Sequence, residues 1–350
     1  MTRLTTFAFC FALSCNAGSV FAHEALPWTL DTVAERLKAD SCQTVERVSD
    51  FEQLPLTIEA VELGAGDMSD RLPSNLRFTG GWALTSSNRK MGGLSGLSIE
   101  PDGSVLTVSD MGQFIRLGRT GGELNGTAEI APMQFENPLI RPGKLTTDAE
   151  GIAIRDGLTF VSFERDFRVM AFALDQCGAA ARGILVSDPP SRYGLRPIRA
   201  NAGPEALWLD TEGGLHILYE QLRDGAVTTA QATEDGKAHM APLTPAPSLD
   251  EGFRPVGADQ ISLRENRSAT AFLYRAYNRE QGNRIRLDIT LSDQEDPFIL
   301  RLAPPLLTDN FEGVAMEETD EGLRLWIISD DNFSDRQQTL LYVFDLTLTP

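Results

Sequence analysis

Five short segments hold the residues best suited to chemistry: Gly93-Leu94-Ser95-Gly96-Leu97, Asp148-Ala149-Glu150-Gly151-Ile152, Gly203-Pro204-Glu205-Ala206-Leu207, Gly257-Ala258-Asp259-Gln260-Ile261 and Asn310-Phe311-Glu312-Gly313-Val314. Their third positions run Ser95, Glu150, Glu205, Asp259 and Glu312, at intervals of 55, 55, 54 and 53 residues. A second column follows 14 to 18 residues later, reading Asp110, Glu164, Glu220, Arg275 and Asp330. Carboxylates gathered in partly buried ground repel one another, and they need protons, arginines or a metal cation to coexist. Hard oxygen donors without a Cys or His cluster favour Ca²⁺ over the transition metals. Asp110, Glu150, Glu164, Glu205, Glu220, Asp259, Glu312 and Asp330 are therefore candidate metal ligands, and Glu150, Glu205 and Glu312 are also candidate catalytic groups. Arg165, Arg168 and Arg275, with Arg279 close by and Ser95, are candidates for gripping a small anionic ligand. The same acids could instead bond the backbone N–H groups of neighbouring repeats and serve only to lock them together. Ser95 and Arg275 interrupt the acidic pattern, so a site is expected near that break.

These columns meet in space only if each repeat folds alike and the repeats close on one another. Each segment opens a short apolar strand, then a turn such as Asp102-Gly103, Asp156-Gly157 or Glu321-Gly322, then a returning apolar strand. Such turn residues tolerate the positive φ of tight hairpins. A strand out and a strand back of equal length return both columns to one rim. Third strands are expected over 167–174, 284–289 and 340–346, with a weak one over 227–232. Fourth strands are expected over 128–135, 183–187, 239–243 and 298–302. The pattern predicts an all-β propeller of four-stranded blades whose inner strands surround a channel. The last repeat lacks a fourth strand, and Leu76 to Thr85 can supply it and close a ring of five blades. Leu56 to Leu63 is left over and could begin a degenerate sixth. From Trp28 to Asp40 the apolar spacing predicts one short helix, with Leu30, Val33, Ala34 and Leu37 on one face.

Composition narrows the function. The chain has 350 residues, is 42% hydrophobic and carries a net charge of −19, which repels nucleic acid and anionic membranes. The start Met1-Thr2-Arg3, the apolar run Leu4 to Leu13 and the small-residue site Val20-Phe21-Ala22 predict a signal peptide over 1–22. A lipid-attachment reading rests on Ala12-Leu13-Ser14-Cys15. An N-terminal extension over 23–55 and a propeller over 56–350 would follow, giving a periplasmic or secreted monomer with no transmembrane segment. Outside the leader only Cys42 and Cys177 remain; they form one disulfide or stay as two buried thiols. Nucleophilic catalysis has little support. There is no Gly-x-Ser-x-Gly, and the three histidines are His23, His216 and His239. No phosphate-binding glycine loop or zinc signature is present.

The run Gly92-Gly93-Leu94-Ser95-Gly96-Leu97-Ser98-Ile99 with Val108-Ser109-Asp110, then Asp148-Ala149-Glu150-Gly151 with Ser162-Phe163-Glu164-Arg165, resembles the phytase-like β-propeller family, also described by an esterase-like activity of phytase. The stretch Leu325-Trp326-Ile327-Ile328-Ser329-Asp330-Asp331-Asn332-Phe333, followed by Gln338 to Leu346, looks like that family's closing signature. The resemblance spans roughly 75–348. It implies hydrolysis of phosphoesters or other esters by an exported protein. Propeller phytases hold several Ca²⁺ ions through channel carboxylates, a role the resemblance implies for Glu150, Glu164, Glu205, Glu220, Glu312 and Asp330. The expectation is a Ca²⁺-assisted hydrolase acting on a small anionic substrate. A non-catalytic propeller of the cell envelope that binds a ligand or partner is the alternative, and a metal-independent esterase using Ser95 is a third.

Overall fold

The computed structural model describes residues 28–40, 50–64, 72–135, 144, 146–233 and 237–348. Five antiparallel sheets stand around a common axis. Their inner strands neighbour one another in the cyclic order Leu94–Ile99, Ala149–Arg155, Pro204–Leu209, Arg254–Ser262 and Asn310–Glu318, with the last beside the first. Blade 1 continues outward with Val105–Ser109, Gln113–Thr120 and Glu123–Pro132; blade 2 with Leu158–Phe163, Arg168–Phe172 and Arg182–Ser187. Blade 3 adds Leu215–Arg223, Ala226–Ala232 and Ala238–Pro242, and blade 4 adds Ser268–Asn278, Gly282–Leu291 and Phe298–Leu302. Blade 5 adds Gly322–Asp330 and Thr339–Thr347, then takes Leu76–Thr85 as its fourth strand. The protein is a five-bladed β-propeller.

Second strands such as Val105–Ser109 and Leu158–Phe163 are buried along their whole length, because blades cover both of their faces. That double burial explains why they read as unbroken apolar runs rather than as alternating ones. In the Asp156-Gly157 turn both residues take positive φ, 51° and 77°, as a two-residue hairpin requires.

Ring closure follows the expected route, with Leu76 opposite Leu346 and Leu84 opposite Thr339. The leftover segment does not begin a sixth blade. Thr57–Ala60 pairs with the outer edge of Leu76–Thr85, so it widens blade 5. Glu52–Gln53 likewise extends blade 1, and Gln134–Phe135 runs parallel to Arg182–Gly183 at the edge of blade 2. Added edge pairs of this kind leave fewer unpaired backbone groups on the outer strands.

The predicted helix forms over Leu30–Asp40 and buries Val33 and Leu37. Just ahead of it, Trp28 packs edge-on to Phe160 of blade 2 at 5.4 Å and donates its indole N–H to Gly213 O of blade 3 at 3.1 Å. The helix therefore ties these two blades together. Cys177 is disulfide-bonded, while Cys42, its expected partner, lies outside the described residues.

Small residues let the inner strands approach. A Cβ added at Gly96 would lie 2.5 Å from Glu150 O of the next blade. One at Gly151 would lie 2.6 Å from Leu207 N, and one at Gly257 would lie 2.6 Å from Glu312 O. At Gly313 it would overlap Ser95 O of blade 1. Ala206 fills the matching position in blade 3 and is itself buried. These contacts are with backbone, which cannot rotate aside. Gly313→Ala is expected to cost about 2–3 kcal/mol, the range for overpacking a tight core. Denaturant unfolding checks this; a midpoint equal to that of the wild type would show that the inner strands can spread.

Candidate functional site

Each inner strand carries a β-bulge near its start, where its register against the second strand shifts. The shift falls between Leu94 and Leu97, opposite Phe163 and Val161 in blade 2, between Pro204 and Ala206, between Pro255 and Gly257, and between Phe311 and Gly313. A bulge re-aims the side chain of the extra residue. Ser95, Glu150, Glu205, Val256 and Glu312 occupy these places, so the repeat is a repeat of bulges.

The second column stands on the same rim. Asp110 N–H donates to Gly93 O at 3.0 Å, Glu164 N–H to Asp148 O at 2.9 Å and Glu220 N–H to Gly203 O at 3.2 Å. Arg275 and Asp330 pair with Arg254 and Asn310. Asp259 is not part of the ring. The sequence frame runs three residues late in blade 4, because Val256 holds the bulge there and bears no charge. Asp259 lines a cavity of about 270 Å³ at the other mouth of the channel, with Ser98, Ile154, Leu209, Gln260 and Met316. Its carboxylate accepts the Met316 N–H at 2.7 Å, which ties blade 4 to blade 5.

The strongest convergence lies between blades 1 and 2. Asp110, Asp148 and Glu150 are buried, and each offers one oxygen within 4.8 Å of the others. This triad could hold a metal ion. Asp148 O–δ1 is buried with no hydrogen-bond partner. Lys144 bonds Asp110 and stands 3.8 Å from Asp148 Oδ1, and Arg165 pairs with Asp148. Sequence reasoning did not single out Asp148 or Lys144. The signal for Asp148 was its place two residues before Glu150, which Asn310 repeats before Glu312.

Across the ring the carboxylates are largely satisfied from within. Arg275 reaches Glu312 Oε1 at 3.1 Å and Glu220 Oε1 at 3.8 Å, and it also bonds the Asn310 side chain. Asn310 donates to Glu312 Oε1 at 2.9 Å and to Asp330 Oδ2 at 3.4 Å. Ser95 Oγ donates to Glu312 Oε2 at 3.4 Å. Glu205 Oε2, like Asp148 Oδ1, is buried without a hydrogen-bond partner.

Electrostatics follow from this crowding. Burial, then the charges of Glu205, Asp110, Glu312 and Asp148, hold the Glu150 carboxyl well above its ordinary value. Burial, then Glu164, Glu220 and Glu312, do the same for Glu205, against the pull of Arg275. Burial, Asp148 and Glu220 push Glu164 up to about 8. Asp330 is raised by burial, Glu312 and Asp110. Asp110 and Glu312 are raised by burial, with Lys144 and Arg275 respectively opposing.

Arg168 stands one strand further out. It is buried, with its guanidinium 4.3 Å over the Phe163 ring and 5.6 Å over the Phe135 ring, and it pairs with Asp166. Burial lowers its pKa to about 10. Asp331 accepts the Gly93 and Phe333 N–H groups, both at 2.9 Å, and so fastens blade 5 to blade 1. His216 pairs with Asp210 at 2.7 Å and stacks on Trp208 at 4.8 Å, on the face opposite the ring. His239 also lies on that face, beside Gly213 and Thr233. Ser95 thus has no imidazole beside it among the described residues.

The family model described as phytase-like, with an esterase-like activity of phytase, matches residues 89–333. The chain belongs to the phytase-like family. Among solved structures it is similar to the PQQ-bound aldose sugar dehydrogenase of Streptomyces coelicolor, at 15% identity and a TM-score of 0.45, covering 78% of this chain and 99% of that one. It is also similar to a thermostable family-43 glycoside hydrolase, at 12% identity and a TM-score of 0.46, covering 72% and 89%. The glutaminyl cyclase of Myxococcus xanthus shares 12% identity at a TM-score of 0.39, covering 78% and 97%. A comparison with the curated proteins finds no match.

Asp259 gives a pH test of the lower channel. Burial pushes its carboxyl up to about 7 from an ordinary 3.8. Between about pH 4 and 7 the unfolded chain gives up this proton while the folded chain keeps it, so stability falls as pH rises through that window. Asp259→Asn cannot ionise and can still accept the Met316 N–H. Its melting temperature should match the wild type near pH 4 and exceed it at pH 8. An equal difference at both pH values would mean that Asp259 does not titrate there.

Proposed function

We propose that this phytase-like propeller is a Ca²⁺-assisted hydrolase of small phosphate esters, acting at its acidic mouth outside the cytoplasm. The observation that carries the reading is the buried triad Asp110, Asp148 and Glu150, in which Asp148 Oδ1 accepts no hydrogen bond and, among the described residues, has only the Lys144 ammonium, 3.8 Å away, facing it. A buried carboxylate oxygen without a donor is costly unless a cation or a proton meets it. The donor set is all oxygen, which suits Ca²⁺. Asp110, Asp148 and Glu150 would hold the ion, and Glu205 offers a further unbonded oxygen in the same mouth. When bound, the ion would neutralise phosphate charge and make a water molecule more acidic.

The chain's own residues supply the remaining functions. Arg165 and Arg275 present guanidinium groups at the ring, which match phosphate oxygens in shape and charge. Lys144 is a tethered cation that keeps Asp110 and Asp148 tolerable in the absence of metal. Its side chain is 45% exposed, so it can swing out as an ion enters. Glu164, protonated at neutral pH by its raised pKa, can keep a proton available for a departing oxygen. The Ser95 hydroxyl has Glu312 at 3.4 Å and no imidazole beside it among the described residues, so a histidine-activated serine nucleophile lacks support.

The disulfide at Cys177 supports an oxidising compartment, consistent with a leader over 1–22, residues that lie outside the described ones. No helix among the described residues is long and apolar enough to cross a membrane.

Adding Ca²⁺ to chelator-stripped protein should raise the melting temperature by several degrees at saturating concentrations. Asp148→Asn and Glu150→Gln should remove that rise and lower hydrolysis of p-nitrophenyl phosphate by about 100-fold or more. Thermal scans without any Ca²⁺ response would sink the metal-assisted reading. A Ca²⁺ response without turnover of any phosphate or carboxylic ester would leave a ligand-binding propeller.

A further inference from the structure

Large apolar side chains exposed to solvent are confined to one face. Among the described residues they are Met111, Leu195, Tyr277 and Phe333. Met111 begins the turn after the second strand of blade 1, Tyr277 lies at the end of that strand in blade 4, and Phe333 lies in the loop after it in blade 5. Leu195 tips a small hairpin, Arg192–Tyr193 with Arg196–Pro197, on the connection into blade 3. Every one of these connections lies at the end of the propeller that bears the carboxylate ring. Isolated exposed hydrophobes are ordinary, whereas a set gathered on the face that holds a polar site points to recognition.

Phe333 approaches the ring most closely. A Cβ placed on Gly93 would lie 2.5 Å from the Phe333 ring and 3.2 Å from Cγ of Asp110. The aromatic ring and a carboxyl of the triad therefore sit over one glycine. Phe333 is held there with φ 50°, beside Asn332 with φ 48°. Left-handed backbone is unfavourable for a phenylalanine, and the Asp331 carboxylate fastens the Phe333 N–H. Blade 2 repeats the device with a different outcome. Phe167 follows Glu164 by three residues, as Phe333 follows Asp330, and it takes φ 41°. It packs over Gly203 of the next blade but is partly buried, with the Tyr219 ring 6.4 Å away. In blade 5 the same device leaves Phe333 43% exposed.

We propose that Phe333 and Met111 form an apolar wall beside Asp110 that receives the organic part of the substrate. The site then favours phosphate monoesters bearing a larger alkyl or aryl group over those bearing a small one. The inference rests on the phosphate-ester reading above and deepens it. A single phosphate can be met by Arg165, which pairs with Asp148, and a bound cation. An apolar group on the ester gains by leaving water for the wall.

Calorimetric titration with inorganic phosphate and with methyl, butyl and hexyl phosphate, at sub-millimolar Ca²⁺, tests this. Affinity should climb by about tenfold or more from methyl to hexyl phosphate, as partial burial of methylenes implies. Phe333→Ser should flatten that climb and Phe333→Leu should keep most of it. Met111→Ser should lessen it and supplies a second comparison if Phe333→Ser does not fold. A flat series in the wild type, or an undiminished climb in Phe333→Ser, overturns the proposal. Phosphate bound with a flat series removes the wall alone, whereas no binding of phosphate or of any ester removes the phosphate-ester reading with it.

Discussion

Close approach of the five inner strands is the constraint on which the rest depends. Backbone meets backbone at Gly96, Gly151, Gly257 and Gly313, where a single methyl group would collide. That intimacy narrows the axis and draws the bulged residues together. Glu150, Glu205 and Glu312 are crowded because the strands that bear them cannot stand further apart. Their raised pKa values are thus a property of the architecture as much as of the side chains. The strain of gathering like charges is supported by extensive apolar packing between blades, with side chains such as Trp326, Phe160 and Tyr342 fully buried.

The ring is not uniform. Blade 4 contributes Val256 and Arg275 where blades 2, 3 and 5 contribute acids, and Arg275 with Asn310 satisfies much of the adjoining half. Opposite this, blades 1 and 2 gather Asp110, Asp148 and Glu150 around two cations from mobile-length side chains, Lys144 and Arg165. The half around Arg275 is rich in internal hydrogen bonds, though Arg275 Nε has no hydrogen-bond partner, and the other half retains Asp148 Oδ1 without one. A site was expected near the break marked by Ser95 and Arg275; the metal-competent cluster lies on the blade that bears Ser95 and the one beside it.

Much of this was legible in the sequence because the blade hairpins are local. Turn residues such as Asp156-Gly157 and unbroken apolar second strands mark them directly, and the need for a fourth strand in blade 5 pointed to Leu76–Thr85. Blade 4 departs from the sequence pattern because its inner strand is long and its bulge carries Val256, so the next acid in the frame, Asp259, falls outside the ring. Lys144 lies on a connection outside the repeat and reaches the ring only through the fold. Arg168 illustrates the converse: it is one residue beyond a turn in sequence, yet its guanidinium lies over the rings of Phe163 and Phe135 and pairs with Asp166. Periodicity specifies which residues share a rim, but not which side chains turn inward.

Blade 5 joins residues 57–60 and 76–85 to residues 310–347. During synthesis from the N-terminus, Leu76–Thr85 must wait for Thr339–Thr347, separated from it by four complete blades. Glu312 and Asp330 belong to that same sheet, and Asp331 is the clasp that reaches Gly93. Assembly of the circle and assembly of the acidic mouth are consequently a single, late event. A nascent or clipped chain lacking the final strand would keep its early hairpins yet present an incomplete ring of carboxylates.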